Sequence, residues 1–321
     1  MAADSSPWIR STADARPLPR SPMSSPTKMH ADELDIDAEL VRGLIADQFP
    51  RWGELPVSRV ESAGTDNAMF RLGDDMVVRL PRLPGAGHQV EFEHRWLPLL
   101  APRLPLAVPE PLAKGEPGRG YALPWGVYRW LDGDNAYDSP LTELTHAAVE
   151  LGRFVSALRA VDATGGPASY RPGPLHLFDD GTRQAIQDLG AACLLDANRT
   201  TALADEAGRL PGWDGAPVWL HADLLPGNLL AVDGRLTAVI DFGCLGVGEP
   251  TADTLPAWTV FTGESRRLFR EAAEFDDATW ERGRAWALCW GVGAVHYYRG
   301  GKNPVLAEVG QRAIDEALAG H

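Results

Sequence analysis

Cysteine and long apolar stretches are both scarce in this chain of 321 residues. The three cysteines, Cys193, Cys244 and Cys289, lie far apart and fit neither a disulfide framework nor the paired spacing of a zinc site. No stretch reaches the roughly 18 consecutive apolar residues that a transmembrane helix needs. These absences predict a protein of the reducing cytoplasm that works without a membrane.

Positive charge is also scarce. The chain has 30 Lys and Arg residues against 44 Asp and Glu residues, so its net charge is −14. Proteins that bind nucleic acid need a basic surface, and we therefore expect no nucleic-acid partner. An acidic cleft concentrates cations, which suits a cationic small-molecule partner, although solubility alone explains the charge equally well.

The first 30 residues differ in composition from the rest of the chain. They are rich in Ser, Pro, Ala and Arg, and they lack the continuous apolar segment of a secretory signal. We predict a disordered extension over residues 1–30. Met23 and Met29 are alternative starting residues, so the sequence leaves open whether residues 1–28 belong to the native protein.

Hydropathy patterns divide the remaining chain into a strand-rich part and a helical part. Helical periodicity marks residues 36–49 and 88–100, and strand-like segments fall at 57–61, 68–72, 76–80 and 123–131. An amphipathic face then marks a helix over 141–162, and further helices are predicted at 181–208, 253–262, 264–274, 277–298 and 304–319. The pattern predicts an α+β fold of two lobes, a small antiparallel-sheet lobe and a larger, mainly helical lobe, with a hinge near residues 129–132.

One short segment carries the polar side chains that phosphoryl transfer requires. Residues 221–228 read H-x-D-x-x-x-x-N, and residues 241–243 read D-F-G. The transfer needs a base for the attacking hydroxyl group and oxygen ligands for the Mg²⁺ on the nucleotide phosphates. Asp223 is the candidate base, and Asn228 and Asp241 are the candidate Mg²⁺ ligands.

The residues between Asn228 and Asp241 predict how these groups meet. Two apolar, strand-like runs flank Asp233-Gly234, a pair that favours a two-residue type I′ turn. A hairpin around this turn would bring Asp241 to the same end as Asn228, beside the loop that carries Asp223. The alternative is a surface hairpin with incidental carboxylates, and the spacing of the His, Asp and Asn residues argues against it.

The connection between the first two strand-like segments is a candidate for contact with nucleotide phosphates. Its small residues would let the backbone approach a ligand and turn N–H groups towards it. Gly64, Thr65 and Asn67 are therefore candidate nucleotide-binding residues. An ordinary hairpin turn would have the same composition.

Arg79 ends the third strand-like segment, where a cation would reach the phosphates. Glu93, on the helix that follows, is its preferred partner because Leu97 and Leu100 continue a buried stripe beside it. Glu91 is the alternative partner. We expect the chosen glutamate to hold Arg79 in place.

The strand-like segment 123–131 leads into the expected hinge. Its end would offer backbone groups to adenine, from the Arg129 C=O and the Leu131 N–H. Backbone recognition needs no particular side chain, so the sequence pattern alone does not test this expectation.

These residues resemble the aminoglycoside phosphotransferase family, the antibiotic-kinase branch of the protein-kinase-like fold. The resemblance covers most of residues 55–300. The segments that carry it are Ala63-Gly64-Thr65-Asp66-Asn67, Val77-Val78-Arg79-Leu80-Pro81, Val108-Pro109-Glu110-Pro111, residues 221–228, Ile240-Asp241-Phe242-Gly243 and Gly248-Glu249-Pro250-Thr251-Ala252-Asp253.

The resemblance implies a bilobal protein-kinase-like fold in which residues 31–131 bind the nucleotide and residues 132–321 bind substrate and carry the catalytic groups. It implies that Asp223 orients or deprotonates the substrate hydroxyl and that Asn228 and Asp241 bind Mg²⁺. Arg79 would contact the phosphates, with Glu93 positioning it.

Two further residues have structural roles by the same resemblance. His221 would tie the catalytic loop to its surroundings. Asp253 would brace that loop without touching substrate, although an Asp before Thr254-Leu255 is an equally good N-cap of a helix.

The chain departs from the kinase pattern in two ways. Many kinase-like proteins have Lys where this chain has Arg79, and an arginine makes the contact with a different, forked geometry. The stretch between Asp241 and Asp253 is too short for the activation segment with which protein kinases dock peptides. A small-molecule acceptor is therefore favoured over a protein.

The sequence thus predicts an ATP- and Mg²⁺-dependent O-phosphotransferase, with GTP as the alternative nucleotide. We expect it to act on a hydroxyl group of a small molecule, an aminoglycoside-like antibiotic in the first place, and so to confer antibiotic resistance. Four acidic side chains of the helical lobe are candidate contacts for such a cation, with solvated helix-face charges as the alternative interpretation: Glu249, Glu264, Asp276 and Asp277.

Other functions remain open at this point. A metabolite such as an amino alcohol or a sugar is one alternative acceptor. A macrolide is another, if Trp258, Trp286 and Trp290 line an apolar pocket. A nucleotide-binding pseudokinase that acts as an interaction protein is the rival from another class, and the intact candidate residues argue against it. The pattern fixes neither the acceptor, the nucleotide preference nor the oligomeric state.

Overall fold

The computed structural model describes residues 34–60, 67–83, 86–169, 171, 178–301 and 303–320. The extension expected over residues 1–30 lies outside this range. So do Gly64 and Thr65 of the candidate phosphate-binding connection.

The first part of the chain forms a five-stranded antiparallel sheet with the spatial order β1-β2-β3-β5-β4. Its strands are β1 (Val57–Val60), β2 (Asn67–Leu72), β3 (Met76–Pro81), β4 (Pro111–Gly115) and β5 (Trp125–Arg129). Two helices accompany it, α1 (Ala38–Gln48) and α2 (His88–Leu100). Each of the four predicted strands and both predicted helices are present, whereas β4 was not expected.

Burial explains the central place of β3. All six of its residues are buried, while β2 alternates between buried and half-buried positions over its second half. A strand that is paired at both edges and covered on both faces usually has an uninterrupted apolar sequence. In β3, Arg79 is the exception to that pattern. Phe70, Val78 and Val127 pack in one cluster with Leu44 of α1.

The second part is mainly helical. Its helices are α3 (Leu144–Arg159), α4 (Asp180–Ala191), α5 (Ala197–Ala207), α6 (Pro256–Thr259), α7 (Gly263–Ala272), α8 (Asp277–Tyr298) and α9 (Pro304–Ala319). The longest, α8, packs along α9, and α3 packs on α7. Trp258, Phe261 and Phe269 are fully buried in the large core that these helices share.

Two predicted helices of this part are wrong in extent. Residues 181–208 form α4 and α5 rather than one helix, because the chain turns at Cys193, which has a φ of +56°. Asp196 then caps α5 by accepting a hydrogen bond from the Arg199 N–H at 3.0 Å. The helix expected over 253–262 is a 3₁₀ turn followed by the short α6, because Pro256 starts a new helix.

Five short strands lie within the helical part. They are β6 (Asp134–Asn135), β7 (Val218–Leu220), β8 (Leu229–Val232), β9 (Arg235–Val239) and β10 (Gly246–Gly248). β8 and β9 form the expected hairpin with β6 on its outer edge, and β7 pairs with β10. Strands of two or three residues are too short to show an alternating pattern, which is why β6, β7 and β10 were not predicted.

The arrangement confirms the predicted α+β fold of a small antiparallel sheet followed by a larger helical region. None of the helices in the described ranges is long and apolar enough to cross a membrane. Arg79, Asp223, Asn228 and Asp241 line a cleft to which both the sheet and the helical region contribute residues.

Candidate active site

The hairpin of β8 and β9 sets the geometry of the site. Asp233 and Gly234 have φ values of +51° and +75°, the positive values that a type I′ turn requires. Leu229 pairs with Val239 at the open end of the hairpin. Beyond that pair, Asn228 accepts a hydrogen bond from the Ile240 N–H at 2.9 Å.

Asp241 leaves this hairpin in an unusual backbone conformation. Its φ of +63° lies in the left-handed region, which is uncommon for residues other than glycine, although Asp and Asn enter it more often than most. In this conformation the Asp241 carboxylate contacts Arg79, with 3.2 Å between Asp241 Oδ1 and Arg79 Nη2. The turn of the chain at Asp241 thus brings the helical part of the molecule into contact with the central strand of the sheet.

The carboxylate of Asp223 is held at both of its oxygens. Arg171 Nη2 lies 2.7 Å from Oδ1, and Asn228 Nδ2 lies 3.1 Å from Oδ2. The Asn228 amide also donates to the Asp223 backbone C=O at 2.8 Å. Burial raises the pKa of Asp223, while the adjacent Arg171 guanidinium opposes that rise. The side chain remains 19% exposed, so a substrate can reach it.

His221 ties the loop of Asp223 to the hairpin. Its Nδ1 accepts a hydrogen bond from the Asp223 N–H at 3.2 Å, and its Nε2 lies 3.0 Å from the Ile240 C=O. These contacts assign the proton to Nε2, since only a protonated nitrogen can donate to a carbonyl. Burial lowers the pKa of His221, so the ring is neutral. It packs edge-on against Phe242 at 4.6 Å between ring centres.

Asp253 braces the same loop from beneath. Its Oδ2 accepts a hydrogen bond from the His221 N–H at 2.9 Å, and its Oδ1 accepts one from the Ala222 N–H at 2.6 Å. Ala222 has a φ of +66°, so a strained backbone is held by a fully buried carboxylate. Burial raises the pKa of Asp253, and these donors oppose the rise.

Arg79 and Glu93 form a buried ion pair with 2.7 Å between Nη1 and Oε1. The Tyr128 hydroxyl donates to Glu93 Oε2 at 2.6 Å, so both carboxylate oxygens have a donor. Burial alone would lower the pKa of Arg79, but Glu93 and Asp241 raise it above the ordinary arginine value. The guanidinium is therefore a permanent cation. Glu91, the alternative partner, pairs instead with Lys114 at 3.2 Å on the surface.

A cleft of about 420 Å³ lies between the sheet and the helical region. Arg129 and Leu131 line it, as does Asn67, which is buried at the start of β2. The Arg129 N–H donates to the C=O of Glu110, the residue before β4, at 2.9 Å. Apolar side chains from both regions form much of the wall: Val60, Met69, Val77, Leu225, Leu230, Ile240, Val305, Leu306 and Val309.

The four acidic candidates for substrate contact lie elsewhere. Glu249 is paired with the buried Arg282 at 2.8 Å, and Glu264 with the exposed Arg267 at 3.4 Å. Asp276 caps α8 by accepting from the Thr279 N–H. The Asp277 side chain is 98% exposed, beside Arg270. None of the four is among the described residues that line the cleft.

The tryptophans considered for an apolar pocket are also placed outside the cleft. Trp258 and Trp286 are buried in the core of the helical region, and Trp290 packs against that core. Any apolar surface that meets an acceptor is therefore supplied by other side chains.

Asn228 and Asp241 fit the requirements of a magnesium site. The side-chain nitrogen of Asn228 donates a hydrogen bond to Asp223. The amide oxygen of Asn228 therefore remains available as a metal ligand. Asp241 uses Oδ1 on Arg79, and Oδ2 has no partner among the described hydrogen bonds. Amide and carboxylate oxygens are hard donors, and Mg²⁺ completes its shell with phosphate and water oxygens.

Two residues of the site escaped the sequence analysis. Arg171 lies 52 positions before Asp223 in the chain and has no local pattern that marks it. Tyr128 lies in an apolar strand, where an aromatic residue reads as core. The sequence offered only an indirect indication of its role, because the hydroxyl group of a buried tyrosine needs a hydrogen-bond partner.

Comparison with known proteins supports these findings. The model of the phosphotransferase enzyme family (APH) matches residues 59–286, a span that includes every polar residue of the site described above. None of the curated proteins matches the chain.

Solved structures of antibiotic phosphotransferases share the fold. A GDP complex of an aminoglycoside 2′-phosphotransferase IIIa mutant is 20% identical, with a TM-score of 0.70 over 88% of this chain and 98% of that one. Macrolide 2′-phosphotransferase from Brachybacterium faecium, as apoenzyme, is 25% identical, with a TM-score of 0.56 over 87% and 98%. A thermostable mutant aminoglycoside phosphotransferase with AMP-PNP and hygromycin B is 20% identical, with a TM-score of 0.58 over 87% and 98%.

Proposed function

The chain belongs to the phosphotransferase enzyme family, and we propose that it transfers the γ-phosphoryl group of ATP, bound with Mg²⁺, to a hydroxyl group of a small molecule. The observation that carries the proposal is that Asp223, Asn228, Asp241 and Arg79 all line the cleft, with Asn228 bonded to Asp223 and Arg79 bonded to Asp241. A base, two metal ligands and a fixed cation are the parts that phosphoryl transfer uses.

The apolar side chains that the sheet contributes to the cleft mark the proposed position of the nucleotide base. Val60, Met69 and Val77 from the sheet and Ile240 from the hairpin would enclose it, and backbone groups near Leu131 would meet its edge. The fixed guanidinium of Arg79 would then contact the phosphates. ATP is the first choice of nucleotide and GTP the second, since the solved relatives include complexes with GDP and with an ATP analogue.

Asp223 would accept the proton of the acceptor hydroxyl group. The hydroxyl oxygen would bond to the γ-phosphorus as the bond between that phosphorus and the departing ADP breaks. Mg²⁺, when bound, would offset the charge of the phosphates, and Asn228 and Asp241 are the residues that would hold it. Most of the acceleration would come from positioning and charge neutralisation, because the transfer needs little covalent chemistry from the protein.

The acceptor is proposed to be a small molecule. The segment from Asp241 to Asp253 is filled by a 3₁₀ turn, β10 and a second 3₁₀ turn, which leaves no loop to dock a peptide. An aminoglycoside-like antibiotic is the first candidate. Asp134 and Asp138 line the cleft and replace the four acidic residues considered earlier as its proposed contacts.

A macrolide is the second candidate, and a specific observation favours it. Val305, Leu306 and Val309 of α9 line the cleft together with Leu225 and Leu230. This surface would suit an acceptor with a large apolar face better than a polycation, since burying apolar area stabilises the complex. A small metabolite without an apolar face would leave these apolar side chains exposed to water, so it is the less favoured acceptor.

Two further assignments go with the proposal. Residues 31–131 are proposed as the nucleotide-binding lobe, and residues 132–321 as the catalytic and substrate-binding lobe. We place the protein in the cytoplasm, because ATP is available there and the three cysteines are free thiols.

A phosphorylation screen tests the proposal. The protein with Mg²⁺ and labelled ATP or GTP is offered aminoglycosides, macrolides and small alcohols, and Asp223→Ala is run in parallel. We expect transfer to at least one acceptor by the unsubstituted protein and none by Asp223→Ala, with nucleotide binding retained in both. If no acceptor is labelled and Asp223→Ala leaves every measured property unchanged, the protein is a nucleotide-binding pseudokinase instead.

A further inference from the structure

The carboxylate of Asp223 has one donor at each oxygen, and the two donors come from different parts of the chain. Asn228 belongs to the same loop, five residues away, and donates at 3.1 Å. Arg171 comes from before α4 and donates at the shorter distance of 2.7 Å. Both side chains of the ion pair are mostly buried, at 24% and 19% exposure, so water screens the pair only weakly.

The loop of Asp223 supplies no cation of its own. The four residues between Asp223 and Asn228 are Leu, Leu, Pro and Gly, and His221 accepts a hydrogen bond at Nδ1, which a charged imidazolium cannot do. Arg79 is committed to Glu93 and Asp241. Among the described residues, Arg171 is the cation that forms an ion pair with Asp223.

Backbone hydrogen bonds fix the position from which Arg171 reaches the site. The Ser169 N–H donates to the Val247 C=O at 2.9 Å, and the Val247 N–H donates to the Pro167 C=O at 2.7 Å. This segment therefore runs parallel to β10 through a bridge between Ala168 and Val247. The Arg171 N–H then donates to the Ser169 hydroxyl at 3.3 Å.

The same small sheet carries the loop of Asp223. Leu220, the last residue of β7, pairs with Gly246 of β10, and β7 leads directly into that loop. A Cβ atom at Gly246 would lie 2.4 Å from Ser169 Cα, so the close approach requires glycine at this position. Asp223 and Arg171 are thus attached to opposite edges of β10.

We propose that Arg171 is a positioning residue for Asp223 in the phosphoryl transfer. Its guanidinium fixes the carboxylate through Oδ1 so that the carboxylate faces the acceptor hydroxyl, and it supplies beside the base the positive charge that the loop lacks. The inference rests on the proposed function, since it assigns a role within that reaction. A preorganised cation next to the reacting groups stabilises the charge that collects there during transfer.

Three substitutions test the role. Arg171→Lys keeps the charge, Arg171→Met keeps the unbranched apolar part of the side chain without the charge, and Arg171→Ala leaves space for added guanidinium ion. Arg183→Met is the matched control, because Arg183 forms an exposed pair with Asp205 at 2.9 Å away from the cleft. The measurements are kcat and KM for the best acceptor, Kd for Mg·ATP, and the rate of nucleotide hydrolysis without acceptor.

We expect Arg171→Met to lower kcat by roughly 100-fold, the usual effect of losing one preorganised charge, with the Kd of Mg·ATP unchanged. Arg171→Lys should recover most of that loss, and guanidinium ion should partly restore Arg171→Ala. Equal losses in the Lys and Met variants, or a loss confined to nucleotide affinity, would overturn the proposal. So would a kcat of Arg171→Met within threefold of the control.

A double-mutant cycle separates this inference from the proposed function. Arg171→Met should lower the Tm of the unsubstituted protein but not that of Asp223→Asn, because the ion pair exists only in the first. Absence of that coupling overturns the Arg171 assignment whatever the activity. If only water accepts the phosphoryl group, the acceptor proposal fails and the hydrolysis rates decide on Arg171. If no transfer occurs at all, both proposals fail, and any coupling that remains is a structural contact only.

Discussion

Asp253 holds Ala222 in a left-handed backbone conformation. The Ala222 N–H donates to Asp253 Oδ1 at 2.6 Å, and the φ of Ala222 is +66°. The carboxylate that does this is fully buried and lies 31 residues further along the chain. The loop that presents Asp223 therefore depends on a distant side chain for its shape.

Asp253→Asn tests this dependence. An amide offers one acceptor oxygen instead of two, so the N–H of His221 or of Ala222 would lose its partner in a buried place. We expect a loss of about 2 kcal/mol in the free energy of unfolding, together with a fall in kcat. Denaturant unfolding and steady-state kinetics measure the two effects. Asp315→Asn, on the exposed face of α9, is the control and should change neither.

Glu93→Gln tests the buried ion pair with Arg79. Because the guanidinium would keep its burial and lose its closest counter-charge, we expect a loss on the order of 3 kcal/mol in the free energy of unfolding. The affinity for Mg·ATP should fall as well. Glu91→Gln is a matched control two residues away on the same helix, where the pair with Lys114 is exposed. It should cost no more than about 1 kcal/mol, and equal losses in the two variants would contradict the assignment.

Asp241→Ala tests the proposed metal ligand. We expect Mg²⁺-dependent nucleotide binding to weaken roughly tenfold or more, which corresponds to about 1.4 kcal/mol of binding free energy. Binding of nucleotide without Mg²⁺ should change less, since Arg79 remains. Calorimetric titrations with and without Mg²⁺ make the comparison. Unchanged affinity for Mg·ATP would rule out a ligand role for Asp241.

His94 gives the protein a dependence of stability on pH. Burial lowers the pKa of His94 to about 4, below the ordinary value near 6.5 that it recovers on unfolding. Between these values the unfolded chain binds the proton and the folded protein does not, so stability falls as the pH falls from about 6.5 to about 4. Lys114 nearby acts in the same direction.

His94→Asn should remove this contribution. We expect the difference in the free energy of unfolding between the variant and the unsubstituted protein to depend on pH within that window and to be constant above pH 7. Denaturant unfolding at a series of pH values measures it. A difference that stays flat across the window would contradict this account.

The hairpin shows how far local patterns reach. Asp233-Gly234 specifies the turn by itself, because both positions need positive φ values and this pair tolerates them. The turn sets the register beside it, with Val232 opposite Arg235. An irregularity between Leu230 and Ala231 then shifts the pairing by one residue, so that Leu229 faces Val239, and no local pattern predicted that shift. The amphipathic helices α3 and α9 were likewise predictable, since their apolar periodicity is local.

Long-range pairs were not predictable in the same way. The choice of Glu93 over Glu91 for Arg79 rested on which face of α2 is buried, and the structure shows Glu93 buried and Glu91 on the surface. The acidic residues proposed for substrate contact had no such local signal. Glu249 illustrates the difficulty, because its partner Arg282 lies 33 residues away on α8.

The sequence by itself determined the chemistry of this protein. The types and spacing of His221, Asp223, Asn228 and Asp241, with a turn between them, are local properties that point to phosphoryl transfer. Only the tertiary structure decided what surrounds Asp223. Arg171 and Asp253 reach its loop from segments that are distant along the chain and meet it through β10 and the buried core. Such contacts depend on packing of the whole fold, which no local pattern encodes.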